Sequence, residues 1–186
     1  MYKNLILFFL ILGIFTGCSN KKQTPKPKSY FRIDFPQKKY KIYENNLFSF
    51  EYPEYCSLYQ DPNEKNWFYI TNQKHKATIY ITYKDLTNNL DTLIENSREF
   101  VYKHTIKADA IIANLHENRT TNVYGILYDI KGNAASPIQF FITDSTKHFI
   151  RGSLYFECRP NKDSLAPDIK FFRSDIVNFI ETLRWK

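Results

Sequence analysis

The chain has 186 residues, 26 Lys and Arg against 19 Asp and Glu, a formal net charge of +7 and three cysteines. That length suits one domain with a substantial core, which 14 Tyr, 16 Phe and 2 Trp load heavily with rings, and only 5 Gly argue against long flexible loops. No CxxC pair, zinc spacing, calcium-loop spacing or phosphate-binding glycine loop occurs, so a redox enzyme, a metal site and a nucleotide site have no support, and no cofactor is expected.

The N-terminus carries the most informative pattern. Lys3 precedes an apolar run from Leu5 to Phe15, and small Thr16 and Gly17 lead into Cys18. This is the layout of a secretory signal, with residues 1–17 as the signal peptide. A transmembrane helix needs about 20 apolar residues, roughly twice this stretch, and Ser19-Asn20-Lys21-Lys22 ends it abruptly. A cysteine at the small-residue boundary marks a bacterial lipoprotein signal. The expected processing is a diacylglycerol thioether on Cys18, cleavage before it, and acylation (palmitate, for example) of its new amine. Several acyl chains make such an anchor effectively permanent.

Residues 18–29 then form the lipidated cysteine and a tether. Lys21, Lys22, Lys26 and Lys28 concentrate positive charge there, interrupted by Pro25 and Pro27. An extended, solvated tether stiffened by proline is the expectation, with attraction to anionic headgroups as the alternative. A tethered envelope protein is not expected to bind nucleic acid.

Residues 30–186 read as a single globular domain. Phe31, Ile33 and Phe35 alternate with Arg32 and Asp34, which predicts an opening strand broken at Pro36. Phe48, Phe50 and Tyr52 predict the next, followed by Cys56–Gln60, Asn66–Thr71 and Ala77–Tyr83. In the last run Ala77, Ile79, Ile81 and Tyr83 share one face, against Thr78, Tyr80 and Thr82. Period two then yields to a helical stripe of Leu90, Leu93, Ile94, Val101 and His104, with Asn89 as its expected cap. Strands return at Ile111–Leu115, Val123–Ile130, Ile138–Thr143 and His148–Glu157, and the turns between the last three favour antiparallel hairpins. A second helix, Leu165 to Leu183, buries Ile169, Phe172, Ile176 and Ile180, with Pro167 in its first turn. The predicted fold class is α+β, a mainly antiparallel sheet covered by two principal helices.

Cys56 and Cys158 are placed in an oxidising compartment, where one disulfide is a candidate and two thiols are the alternative. His75 and His116 fall in polar turns, and His104 lies on the helix stripe as a structural histidine. His148 follows Asp144-Ser145-Thr146, but four hairpin residues do not assemble a nucleophile, base and orienter. Asp129 and Asp144 stand apart from each other. No catalytic residue and no metal ligand is assigned, and the chain is not read as an enzyme. Tyr and Phe are abundant enough to fill a core and still leave anchors outside, so function is expected in a protein-binding surface. The faces of Thr78, Tyr80 and Thr82 and of Tyr124, Ile126 and Tyr128 alternate with the core faces, and a covering helix is the alternative for either. Tyr80 or Tyr128, where exposed among other aromatics, is the first contact.

A further set of segments runs in one order through the chain: Lys26-Pro27-Lys28-Ser29-Tyr30, Phe48-Ser49-Phe50-Glu51-Tyr52-Pro53, Lys76-Ala77-Thr78-Ile79-Tyr80-Ile81-Thr82-Tyr83 and His104-Thr105-Ile106-Lys107-Ala108-Asp109-Ala110-Ile111. It continues through Gly132-Asn133-Ala134-Ala135-Ser136, Thr143-Asp144-Ser145-Thr146-Lys147-His148-Phe149, Gly152-Ser153-Leu154-Tyr155-Phe156 and Glu181-Thr182-Leu183-Arg184-Trp185-Lys186. Together these resemble the gliding motility lipoprotein family GldD of the Bacteroidetes. The order of elements is similar to the Mog1/PsbP-like α/β/α sandwich.

The resemblance implies a lipid-anchored envelope protein, an accessory or scaffold of the gliding and type IX secretion machinery with protein partners in that complex. Cys18 lacks the acidic residues that follow it in surface-exported Bacteroidetes lipoproteins, which by analogy implies an outer-membrane anchor with the domain facing the periplasm. A PsbP-like ligand-binding or assembly-factor lipoprotein without a motility link is the alternative. Thr92, Ser145 and Ser164 sit in Asp-Thr-Leu, Asp-Ser-Thr and Asp-Ser-Leu, which resemble the Bacteroidetes O-glycosylation signal.

Overall fold

A computed structural model describes residues 33–186 of the protein. The signal segment, Cys18, the tether and Phe31 lie outside the described residues. Among the described residues ten strands form: β1 (Tyr40–Glu44), β2 (Phe48–Pro53), β3 (Ser57–Gln60), β4 (Trp67–Asn72), β5 (Ala77–Asp85), β6 (Ala108–Asn118), β7 (Val123–Gly132), β8 (Ile138–Thr143), β9 (His148–Phe156) and β10 (Arg184–Trp185). Two α-helices of the described residues join them, α1 (Leu90–Tyr102), continued by a 3-10 turn over Lys103–Ile106, and α2 (Lys162–Thr182).

Seven strands make one antiparallel sheet in the order β3-β4-β5-β9-β8-β7-β6. The chain builds β3 to β5 as a meander, and α1 carries it from central β5 to the far edge. It then returns through β6, β7, β8 and β9 until β9 closes against β5 along nine paired positions, Ala77↔Phe156 to Asp85↔His148. A second, three-stranded sheet, β1-β2-β10, is also antiparallel.

Strand alternation sorts the side chains into two cores. Phe68, Ile70, Ala77, Ile79, Ile81, Ile138, Phe140, Ile142, Ile150 and Leu154 point to one face, where Phe172, Ile176, Phe179 and Ile180 of α2 and Phe48 and Phe50 of β2 meet them. Tyr128, Ile130, Phe141 and Phe149 point to the other, under Leu93 and Val101 of α1. The sheet is therefore layered between α1 on one side and α2 with the small sheet on the other, the α+β arrangement expected. β8 is buried at all six positions because both of its faces are covered.

Gly152 shows how tightly the main core closes. A methyl group there would overlap the Phe140 ring, so the bare backbone of β9 is what lets that ring lie over it.

Several expectations need correction. Residues 33–39 form no strand, and the ladder begins at Tyr40. Phe35 instead stacks on Phe171 of α2 at 4.3 Å, so its apolar character reflects a packed loop rather than a pleat. Asn89 stands at the N-cap of α1 but gives the helix no side-chain bond, because its Oδ1 accepts from the Thr87 amide instead. The second helix starts earlier than predicted, at Lys162. Asn161 caps it by accepting from the amides of Asp163 and Ser164, which places Pro167 in the second turn. Leu93, Val101, Phe172, Ile176 and Ile180 are buried as predicted, whereas Ile94 and Ile169 are half-buried and pack at the rims of the two clusters.

Candidate functional site

The two helical layers do not cover the sheet equally. α1 lies over the part of its face that carries Tyr128, Phe141 and Phe149, and leaves the outer face of β4, β5 and β9 open. Because side chains alternate along each strand, that open face carries Trp67 and Tyr69 from β4, Tyr80 and Thr82 from β5, and Arg151 and Ser153 from β9. The wall is the side of α1 that carries buried Leu93 and Ser97 and exposed Asn96 and Phe100. Between floor and wall runs a cleft of ≈ 590 Å³, within the size range of binding pockets.

Rings give the cleft its shape. Tyr80 stands edge-on to both Tyr69 and Tyr155, at 5.4 and 5.5 Å between centroids. Tyr69 is oriented by its hydroxyl, which donates to Asp61 at 2.9 Å. Trp67, Tyr80 and Phe100 remain 45%, 41% and 46% exposed, an aromatic grouping that the domain does not bury in itself.

Arg151 supplies the charge. Its Nη2 donates to the buried Gln139 side chain at 2.9 Å, and its guanidinium lies 4.3 Å from the Phe100 ring centre. Burial holds its pKa below the ordinary value, with Tyr155 acting in the opposite sense. His104, from the 3-10 turn, is lowered by burial and then by the Arg151 charge, so it adds no second cation there at neutral pH.

The structure distributes the other sequence-predicted residues elsewhere. Tyr80 opens onto the cleft, whereas Tyr128 is covered by α1 and belongs to the core. His148 is buried, with Nδ1 2.8 Å from the Tyr83 hydroxyl and its ring stacked on Trp185 at 5.1 Å. Asp144 accepts from the amides of Thr146, Lys147 and His148, so it closes a hairpin turn rather than orienting the imidazole. Asp129 is held by a two-pronged bond from Arg173, at 2.8 and 2.9 Å, and by Asn114. His75 is drawn from its basic turn onto α2, where Nδ1 lies 2.7 Å from Asp168 and the ring stacks on Phe35. Its buried Nε2 meets no hydrogen-bond partner among the described residues, so the pair has no hydroxyl or thiol to activate.

Cys56 is buried and Cys158 exposed, and both are free thiols in this structure, so the candidate disulfide is not formed. Burial, followed by the Asp175 charge, pushes the Cys56 pKa up to about 12 and keeps it protonated and inert. Among the described residues no group of three His, Cys, Asp or Glu converges on a metal-sized point. Thr92, Ser145 and Ser164 are all exposed.

Sequence reasoning missed Arg151, Trp67 and Phe100. Arg151 left a signal, as the only Lys, Arg, Asp or Glu in the nine-residue strand from His148 to Phe156. Trp67 and Phe100 left none that separates a cleft lining from a core.

Two comparisons bear on the whole. The sequence family described as gliding motility lipoprotein GldD matches residues 20–185. The solution structure of cyanobacterial PsbP (CyanoP) from Synechocystis is similar, with a TM-score of 0.50 at 9% identity, covering 81% of this chain and 95% of that one. At that identity the likeness concerns the fold alone. No curated protein matches the chain.

Proposed function

The chain belongs to the gliding motility lipoprotein family GldD, and on that premise we propose that it is a non-enzymatic accessory subunit of the gliding and type IX secretion machinery that holds a protein partner in its aromatic cleft. Membership implies a protein of the cell envelope, and no helix among the described residues is long and apolar enough to cross a membrane. The proposal adds that lipid on Cys18 provides the attachment, at the outer membrane with the domain in the periplasm. The observation that carries the binding role is the exposed grouping of Trp67, Tyr80 and Phe100 beside a half-buried cation. Aromatic and Arg side chains in a partly desolvated pocket are the usual anchors of protein interfaces.

The test is an affinity pull-down from native membranes with the full-length protein and its Trp67→Ala and Tyr80→Ala variants. Each substitution removes a half-exposed ring, so the melting temperature is expected to stay within a few degrees of the parent. Envelope proteins recovered with the parent should be lost or reduced at least about tenfold with either variant, the effect of an interface anchor. Undiminished recovery with both variants would show that the cleft is not the docking surface.

Covalent modification is proposed as well. Mass spectrometry of the protein extracted from its host should find a mature chain beginning at acylated Cys18, and a glycan on Ser145, Thr92 or Ser164. Ser145 stands foremost because it occupies the tip of an exposed turn, with φ of 67°. A mature N-terminus elsewhere would overturn the anchor, and three bare hydroxyls would overturn the glycan.

A further inference from the structure

The cleft contains a cation with nothing of opposite charge to meet it. Among the described residues Lys84 and Arg151 are its only charged lining, and both are basic. Arg151 has five N–H donors, and among the described residues the one partner it donates to is the neutral amide of Gln139. Phe100 covers one face of its guanidinium. The groups that approach from the helix side are Phe100, Ser97 and His104, and none carries negative charge. A guanidinium fork, partly withdrawn from water and walled by rings, is the arrangement that receives a planar carboxylate.

The rest of the lining limits what bears that carboxylate. Apolar contacts come from Trp67, Tyr80 and Phe100. Between them Asn96 offers an amide and Ser153 a hydroxyl, and the Thr82 and Ser97 hydroxyls, which donate to the Arg151 and Leu93 carbonyls, keep the capacity to accept. An alkyl chain would use none of these groups, whereas a peptide brings an amide N–H and C=O at every residue.

We propose that the cleft binds a peptide segment in which a carboxylate, from Asp, Glu or a chain terminus, stands next to an aromatic or large apolar side chain. The carboxylate pairs with Arg151 and the apolar group packs among Trp67, Tyr80 and Phe100. This rests on the reading of the cleft as the docking surface and specifies the chemistry it selects.

The experiment measures binding of labelled acetyl-Ser-Phe-Glu-Phe-Ser-amide to the full-length protein in phospholipid nanodiscs by fluorescence polarisation. The same peptide with Gln for Glu, and dodecanoate as competitor, complete the set. The Glu peptide is expected to bind about tenfold tighter or more than the Gln peptide, as a charge-assisted pair requires. Arg151→Gln should erase that ratio without abolishing binding of the Gln peptide, and Trp67→Ala should weaken both peptides alike. Circular dichroism melts confirm that each variant is folded, and the uncharged Arg151→Met serves where Arg151→Gln is not. Equal affinity for the two peptides, a ratio that survives the loss of Arg151, or displacement of the Glu peptide by dodecanoate but not by its unlabelled self would overturn the inference. The pull-down separates the two ideas. Partners lost with Trp67→Ala but kept with Arg151→Gln would leave the docking surface standing and the carboxylate pairing refuted.

Discussion

Replacing Phe172 by Ala is expected to remove about 3–5 kcal/mol of stability, which for a domain of this size lowers the melting temperature by roughly 6–20 °C. Phe172 is 1% exposed and points from α2 into the larger core. Its ring meets Phe156 of β9 at 6.2 Å, Phe171 at 5.4 Å and the His75 ring at 5.8 Å, all edge-on. These neighbours come from the sheet, from α2 itself and from the β4–β5 turn, so no single element can move to fill the space an alanine leaves. Phe172→Leu retains most of the volume and is expected to cost less than half as much. The check is a pair of thermal melts on the two variants. An alanine melt equal to that of the parent would mean that α2 presents a different face to the sheet.

How much of this was legible in the sequence differs between elements for physical reasons. β5 was plain because one of its faces is wholly buried and the other, past buried Thr78, opens at Tyr80, so Ala77, Ile79, Ile81 and Tyr83 keep strict alternation. The α2 stripe was plain because a helix on a sheet hides one side, and Phe172, Ile176 and Ile180 fall on it. β1 was not, because its burial runs half, exposed, exposed, half, exposed, which matches no period. Two-residue β10 is too short to have one. The opening strand was misread because Pro36 and the polar run after it form a loop that still buries a ring, Phe35, against α2. As for the site, Tyr80 could be singled out as lying opposite a buried face. Whether such a residue is roofed or open depends on where α1 stops along the sheet, and this separates Tyr80 from Tyr128. That is a tertiary fact, and no local pattern encodes it.

Asp175→Ala is the second change expected to act strongly, at about 2–4 kcal/mol. Asp175 is 1% exposed, yet its carboxylate collects three separate donors. Lys38 Nζ lies 2.5 Å from Oδ1, the Tyr40 hydroxyl donates at 3.0 Å, and the Tyr55 hydroxyl reaches both oxygens at 2.8 and 2.7 Å. Burial, reinforced by the same carboxylate, raises the pKa of both tyrosines, so they are fixed as donors. Without Asp175 the Tyr55 hydroxyl loses its acceptor in a half-buried position. Lys38 keeps its bond to the Phe171 carbonyl and its place 3.5 Å from the Phe171 ring centre, but not its counter-charge. Burial already lowers the Lys38 pKa and Asp175 opposes it, so removing the carboxylate moves that pKa further down. The side chain of Lys38 is 30% exposed and can turn to water, which is why the expected cost lies below that of a fully enclosed ion pair. Asp175→Asn retains an acceptor oxygen without the charge and should fall between the parent and the alanine variant. The consequence is directional, because Lys38 and Tyr40 belong to the segment and strand that open the described domain, while Asp175 belongs to α2. Amide hydrogen exchange over residues 36–44 should therefore quicken in Asp175→Ala before the rest of the sheet is affected. Should the melt change by less than about 1 kcal/mol and exchange over this segment stay at the parent rate, the carboxylate would be a tolerated buried group rather than the clamp that holds the first strand to the second helix.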